Sequence, residues 1–280
     1  MKKSLNQIID IQDIDWNEIF KKQKAKQQYK RHRHREYWNK RAPSFADNAA
    51  KSAYPTEFIK IMKPRRSWTV LDMGCGGGTL AIPLAGKVKE ITAVDFSDKM
   101  IEILSEEATK RGFQNIKTIK ASWEDDWGKA GIGVYDVAIA SRSLAVEDIK
   151  AAIIKLDKAA RKRVYLSTVA GDGPFDRNIF EAIGRKYVPY PDYLYVYNVI
   201  YQMGIRARID FIIQKNVTKI YDSYEAGLNS YKWMFQDLTK PEEKKLQKFL
   251  HDHLVNASGK WTLDYKQKVT WAVIWWDKEN

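Results

Sequence analysis

Residues 69–79 read TVLDMGCGGGT. A short apolar run (Val70, Leu71, Met73) stops at four glycines, Gly74, Gly76, Gly77 and Gly78. A second strand-like run at 90–94 then delivers Asp95. This order predicts strand, glycine-rich turn, helix, strand and acid, the front half of a nucleotide-binding α/β unit. Glycines let backbone approach a ligand closely and take positive φ without steric cost. A helix starting at Thr79 would aim unpaired N–H groups and a positive dipole end at the same place. A carboxylate closing the next strand can accept the hydroxyls of a ribose.

Two ligand classes suit such a unit, dinucleotides and S-adenosylmethionine (SAM). The dinucleotide fingerprint G-x-G-x-x-G requires a third glycine where this chain has Thr79. Asp72, two residues before the first glycine, is placed to meet the pocket or to brace its loop. At these residues the chain resembles the class I SAM-dependent methyltransferases. LDMGCGGG matches their first motif through Asp72, Gly74, Gly76 and Gly78, and VDFS at 94–97 matches the second through Asp95, with Met100 following. A third, looser match is ASWE at 121–124, where Ser122 replaces a frequent acid near the adenine. A fourth is the run at 135–140, opened by Asp136 and followed by Ser141-Arg142-Ser143.

The resemblance covers roughly residues 65–170 and implies SAM as cofactor, with S-adenosylhomocysteine as product. It implies cofactor contacts from Asp72, Gly74, Cys75, Gly76, Gly78, Asp95, Phe96, Met100, Ser122, Trp123 and Ser141. The glycines fall on the methionine and ribose side, Asp95 on the ribose hydroxyls, and Ser122 with Trp123 on the adenine.

Outward from this motif the alternation is regular. Strands are expected near 69–73, 90–94, 116–120, 135–140 and 163–169, with helices near 79–86, 98–111, 147–159 and 176–186. Two more strands are expected at 206–213 and 268–276. The fold class is therefore α/β: a doubly wound, mostly parallel, seven-stranded Rossmann-like sheet with an antiparallel last strand. Four parts are expected: a basic helical arm or lid (1–50), a SAM-binding core (51–215), a helical cap insertion (216–266) and the final strand (267–280). Thr239-Lys240-Pro241-Glu242 reads as a capping box opening a helix to about Leu254.

The net charge of +13 is concentrated: residues 21–41 hold ten Lys or Arg and one Glu, leaving +4 for the rest. That arm reads either as a solvated helix with Tyr29, Tyr37 and Trp38 on its apolar side, or as a phosphate-tracking surface for RNA. Its end, WNKRAPSFA at 38–46, is similar to the lead-in helix that covers the cofactor in many small-molecule methyltransferases. Trp38, Arg41, Arg142, Asp172 and Tyr195 are the substrate-side candidates; the tyrosines at 187–197 either line a pocket or pack a long connection.

Cys75 is the one cysteine, so the chain forms no internal disulfide, as suits a reducing cytoplasm. Among glycines it reads as a small residue rather than a reactive thiol. No apolar run approaches the roughly 20 residues that span a bilayer. His32/His34 and His251/His253 are two apart and do not share a helix face, so no metal is expected. The sequence supports methyl transfer to a small molecule; the alternatives are an RNA methyltransferase gripping tRNA or rRNA through 21–41 and a non-catalytic SAM-binding partner. It names neither the acceptor atom nor a general base, and leaves the oligomeric state open, a dimer included.

Overall fold

A computed structural model describes residues 10–26, 35–50, 52–217, 220–232, 234–235 and 238–278. The centre of the basic arm, 27–34, with Tyr29, His32 and His34, lies outside the described residues.

In chain order the elements are α1 Trp16–Ala25, α2 Arg35–Ala50, α3 Tyr54–Met62, β1 Thr69–Met73, α4 Ala81–Ala85, β2 Glu90–Asp95, α5 Asp98–Lys110, β3 Ile116–Lys120, β4 Tyr135–Ser141 and α6 Ile149–Lys158. They continue with β5 Ala160–Ala170, α7 Arg177–Ile183, α8 Tyr193–Gln202, β6 Arg208–Val217, α9 Tyr224–Lys232, α10 Lys240–His253, β7 Leu254–Ala257, β8 Lys260–Leu263 and β9 Gln267–Asp277. Seven strands form one sheet in the order β3-β2-β1-β4-β5-β9-β6. β1 to β5 run parallel, while β9 lies antiparallel between β5 and β6. The strand order reverses between β1 and β4, and ligands of such sheets sit at that switch point, outside the carboxyl ends of the strands.

The central strands are apolar because both sheet faces are covered. Leu71, Met73, Ala138 and Leu166 join the core on the α1, α6 and α8 side. Val70, Ile91, Val137 and Tyr165 join the core on the α3, α4 and α5 side. Local signals set the helix starts. The Ser97 hydroxyl accepts from Met100 N–H at 3.3 Å and Asp148 accepts from Ala151 N–H at 2.8 Å, caps worth about 1 kcal/mol each. The capping box at Thr239 and Glu242 is formed.

Several expectations change. The helix after the glycine turn spans only Ala81–Ala85, with turns over 76–80, so a dipole-based contribution from it is small. The tyrosine-rich connection becomes α8 from Tyr193 onward, because Asp192 caps it by accepting from Leu194 N–H at 3.2 Å. The insertion is not purely helical: β7 and β8 form a hairpin. Ser258 and Gly259, both with positive φ, make the two-residue turn that suits strand twist. The insertion packs with α7 around its own apolar cluster, including Phe180, Tyr231, Leu246 and Leu250.

Candidate active site

The glycine turn leaves β1 and is clamped at once to β2: Gly74 N–H and Cys75 N–H both donate to the Val94 carbonyl, at 2.8 and 2.9 Å. Gly74 takes φ +74°, and a Cβ there would fall 2.3 Å from Ser143 Cβ, so the β4 exit loop rests directly on it. Gly76 takes φ +55° and turns its N–H to Asp95 Oδ2 at 2.9 Å. The other oxygen of Asp95 accepts from Ser97 N–H at 2.9 Å. Asp95 therefore braces the loop, and its burial raises its pKa above the ordinary value. Met100 is buried behind the turn, its sulfur 3.8 Å from where a Gly76 Cβ would be. Burial pushes the Cys75 thiol well up, which leaves it an unreactive small residue.

Asp72 is buried and its Oδ2 has no hydrogen-bond partner. Burial, and secondly the Asp95 carboxylate, push its pKa from 3.8 up to about 7. Two buried carboxylates beside a glycine turn ask for a cationic ligand. SAM, with its sulfonium and ammonium groups, satisfies that demand; the pyrophosphate of a dinucleotide would be repelled. The orphaned oxygen of Asp72 is thus an independent observation that fits SAM.

α2 lies across the turn. A Cβ on Gly77 would meet Ala46 Cβ at 2.9 Å and one on Gly76 would meet the Phe45 ring at 3.5 Å. Asn39 Oδ1 accepts from the Ser97 hydroxyl at 2.6 Å, fastening α2 to the start of α5. Trp38 meets the Phe45 ring edge-on at 5.4 Å, and Arg41 donates to the Tyr37 hydroxyl at 2.6 Å. This places two of the substrate-side candidates, Trp38 and Arg41, on the roof.

At the exit of β4, Arg142 takes φ +55°, a left-handed backbone that costs a non-glycine residue roughly 1–3 kcal/mol. Its N–H donates to the Ser167 carbonyl, at 3.1 Å. Its guanidinium carbon lies 4.1 Å from the Tyr54 ring centre, 5.5 Å from that of Trp271 and 6.0 Å from that of Phe45. Among the described residues no carboxylate lies within salt-bridge distance of it. Burial lowers its pKa, yet a guanidinium stays charged at any physiological pH. Beneath it the Tyr54 hydroxyl shares hydrogen bonds with Ser141 Oγ (2.8 Å) and Ser167 Oγ (2.5 Å). Burial raises the Tyr54 pKa, so the phenol holds its proton at neutral pH.

The remaining candidates separate. Trp123 donates its indole N–H to the Ser143 carbonyl at 3.0 Å and packs on Trp127; Ser122 N–H donates to Asp125 Oδ2 at 2.8 Å. Both lie on the rim after β3, and half-buried Phe96 follows β2. Asp172 follows β5 and pairs with Arg177 at 3.0 Å. Tyr195 departs from the pocket reading: it sits on α8 with its ring edge-on to Trp16 of α1 at 6.2 Å, because helical spacing sends alternate tyrosines to different faces. Sequence reasoning missed Tyr54, Ser167 and Trp271 as parts of the site. Their types carry no signal; only the fold gathers them. Among the described residues no group of three His, Cys, Asp or Glu side chains could hold a metal, and no helix is long and apolar enough to cross a membrane.

Comparison with known proteins agrees with this geometry. Residues 65–183 match a family described as "Methyltransferase domain". An uncharacterized protein of Haemophilus influenzae is 35% identical over 245 residues, 87% of this chain and 89% of that relative. A candidate methyltransferase of Bacillus halodurans C-125 shares the fold with a TM-score of 0.54 at 11% identity, over 82% of this chain and 100% of its own. The YcgJ protein of Bacillus subtilis does so with a TM-score of 0.53 at 15% identity, over 81% of this chain and 98% of its own. The chain belongs to the class I SAM-dependent methyltransferases, enzymes of Rossmann-like fold, and S-adenosylmethionine is its cofactor.

Proposed function

We propose that the enzyme methylates a small-molecule acceptor held under the α2 roof, beside the glycine turn. The observation that carries this reading is the roof: α2 touches Gly76 and Gly77 through Phe45 and Ala46 and is fastened by Asn39. A helix laid over the donor turn in this way excludes water from the reacting centre and suits a compact acceptor. A polymer requires an open basic groove. Two lysines of the described part of the arm are also engaged within the protein. Lys24 is buried and donates to the Val146 carbonyl, and Lys21 pairs with Glu18 at 2.9 Å and Asp148 at 3.1 Å.

When bound, SAM supplies an already activated methyl group. In this reading Asp72 takes the ammonium with its free oxygen. Gly74, Cys75, Gly76 and Gly78 line the methionine and ribose side by backbone. Asp95 keeps lone pairs for ribose hydroxyls beyond the two N–H groups it accepts. Phe96, Met100, Ser122 and Trp123 border the adenine, and Ser141 holds Tyr54 in place beside them. The chain's own contribution is alignment and exclusion of water rather than base catalysis.

The test is purified enzyme with methyl-labelled SAM, offered the low-molecular-weight ultrafiltrate and, separately, the RNA of a cell extract. Label in the ultrafiltrate is the expected result. Label in RNA, lost steeply with added salt, would replace this reading with the nucleic-acid one.

A further inference from the structure

We propose that Arg142 is the anion-binding residue of the acceptor site, and that the acceptor carries a carboxylate which this arginine grips inside the Tyr54, Phe45 and Trp271 box. The inference deepens the small-molecule reading above and rests on it.

The geometry has three parts. First, the guanidinium carbon lies 4.1 Å over the Tyr54 ring centre, with Trp271 and Phe45 as further walls at 5.5 and 6.0 Å. Rings hold a guanidinium by its flat faces and leave its N–H edge free. That edge is the part shaped to receive a planar carboxylate through two parallel hydrogen bonds. Second, the charge is unmatched: no carboxylate among the described residues pairs with the side chain, although the residue is half-buried and held in a left-handed backbone. A structural arginine enclosed this way is ordinarily paired, because an unpaired buried charge is costly. Third, the place is right. The Arg142 loop rests on Gly74 through Ser143, and Phe45 touches both the Gly76 position and the Arg142 box. An acceptor in the box is therefore next to the donor crevice. SAM carries net positive charge, so an anion lying between it and Arg142 is favoured from both sides. One cation with one planar fork matches one carboxylate, and a phosphate dianion would call for more positive charge than the box holds.

The experiment is calorimetric titration of the whole enzyme, first with S-adenosylhomocysteine and then, at saturating S-adenosylhomocysteine, with matched pairs: benzoate against benzamide, and 4-hydroxybenzoate against 4-hydroxybenzamide. Each acid should bind about tenfold or more tighter than its neutral amide. Arg142→Asn should erase that preference while leaving S-adenosylhomocysteine affinity within about twofold. Asparagine tolerates the left-handed backbone, so a thermal melt should find the variant folded. Equal binding of acid and amide to the wild-type enzyme, no binding of either, or a preference that survives in Arg142→Asn would overturn the proposal. Tighter binding of phenyl phosphate than of benzoate would overturn the carboxylate assignment. Failure to bind S-adenosylhomocysteine in the first titration would instead count against the donor-site reading, so the two failures are told apart.

Discussion

The two halves of the site are built on opposite principles. The donor half is acidic and made of backbone: a glycine turn hung from Val94 and braced by Asp95, with the buried Asp72 behind it. The half proposed for the acceptor is cationic and made of side chains: one guanidinium boxed by rings from α2, α3 and β9. The first depends on residues within about thirty positions of one another and tolerates almost no added atoms. The second is assembled across the fold and can be rebuilt one side chain at a time. Acceptor specificity is thus free to vary over a donor site that is not.

The sharpest way to break this contrast is to add one carbon to the donor half. In Gly74→Ala the new Cβ would fall 2.3 Å from Ser143 Cβ at a φ of +74°. Overpacking, left-handed strain and disturbance of the 2.6 Å hydrogen bond that the Ser143 hydroxyl donates to the Met73 carbonyl should together cost about 5 kcal/mol. Chemical denaturation reads that cost, and an Ala variant as stable as the parent would refute the tight nesting.

Next comes Asp72. Its folded-state pKa of about 7 lies above its ordinary 3.8, so between those values the folded chain holds a proton the unfolded chain has released. Stability from this group is full below pH 4, declines as pH rises to 7 and is level beyond, a loss of at most about 4 kcal/mol. Urea denaturation of wild type and Asp72→Asn across that window should give diverging curves, the variant lacking this decline. Parallel curves would show that Asp72 titrates normally. If the ammonium of S-adenosylhomocysteine pairs with Asp72, binding near pH 6 should also release a proton, visible as a calorimetric heat that depends on the buffer.

Asp95→Ala should weaken S-adenosylhomocysteine binding by roughly 1.5–3 kcal/mol, the worth of a charge-assisted hydrogen bond. Unchanged affinity would confine Asp95 to bracing the loop. The smallest effect belongs to the roof. Asn39→Leu removes the acceptor for the Ser97 hydroxyl and should cost about 1 kcal/mol, appearing as faster ligand release in stopped-flow fluorescence. An unaltered release rate would mean that Asn39 does not hold the helix down.

Legibility in the sequence follows the same division. The strand, turn, strand and acid of the donor half are contiguous, and glycine and aspartate at fixed spacing carry meaning without a partner. So did the order of strands, because their apolar runs reflect two covered faces. Arg142 was readable as a rim cation, but Tyr54 stands 88 residues before it and Trp271 129 after it. Nothing local marks either as its neighbour. Tyr195 misled for a related reason: alternation along 193–197 looks like a lined wall until Asp192 starts a helix and rotates the rings apart. The β7–β8 hairpin is not read from the sequence at all: the capping box at Thr239 signals a helix, and the insertion is expected to be helical throughout.

β9 enters the sheet between two strands that precede it in the chain, and Trp271 rides on it. While the protein is being made, the parallel strands and the glycine turn can already assemble, whereas the ring wall that flanks Arg142 waits for the final strand to slide into its slot. A growing chain would therefore complete the strands that carry its glycine turn before it completes the ring wall that flanks Arg142.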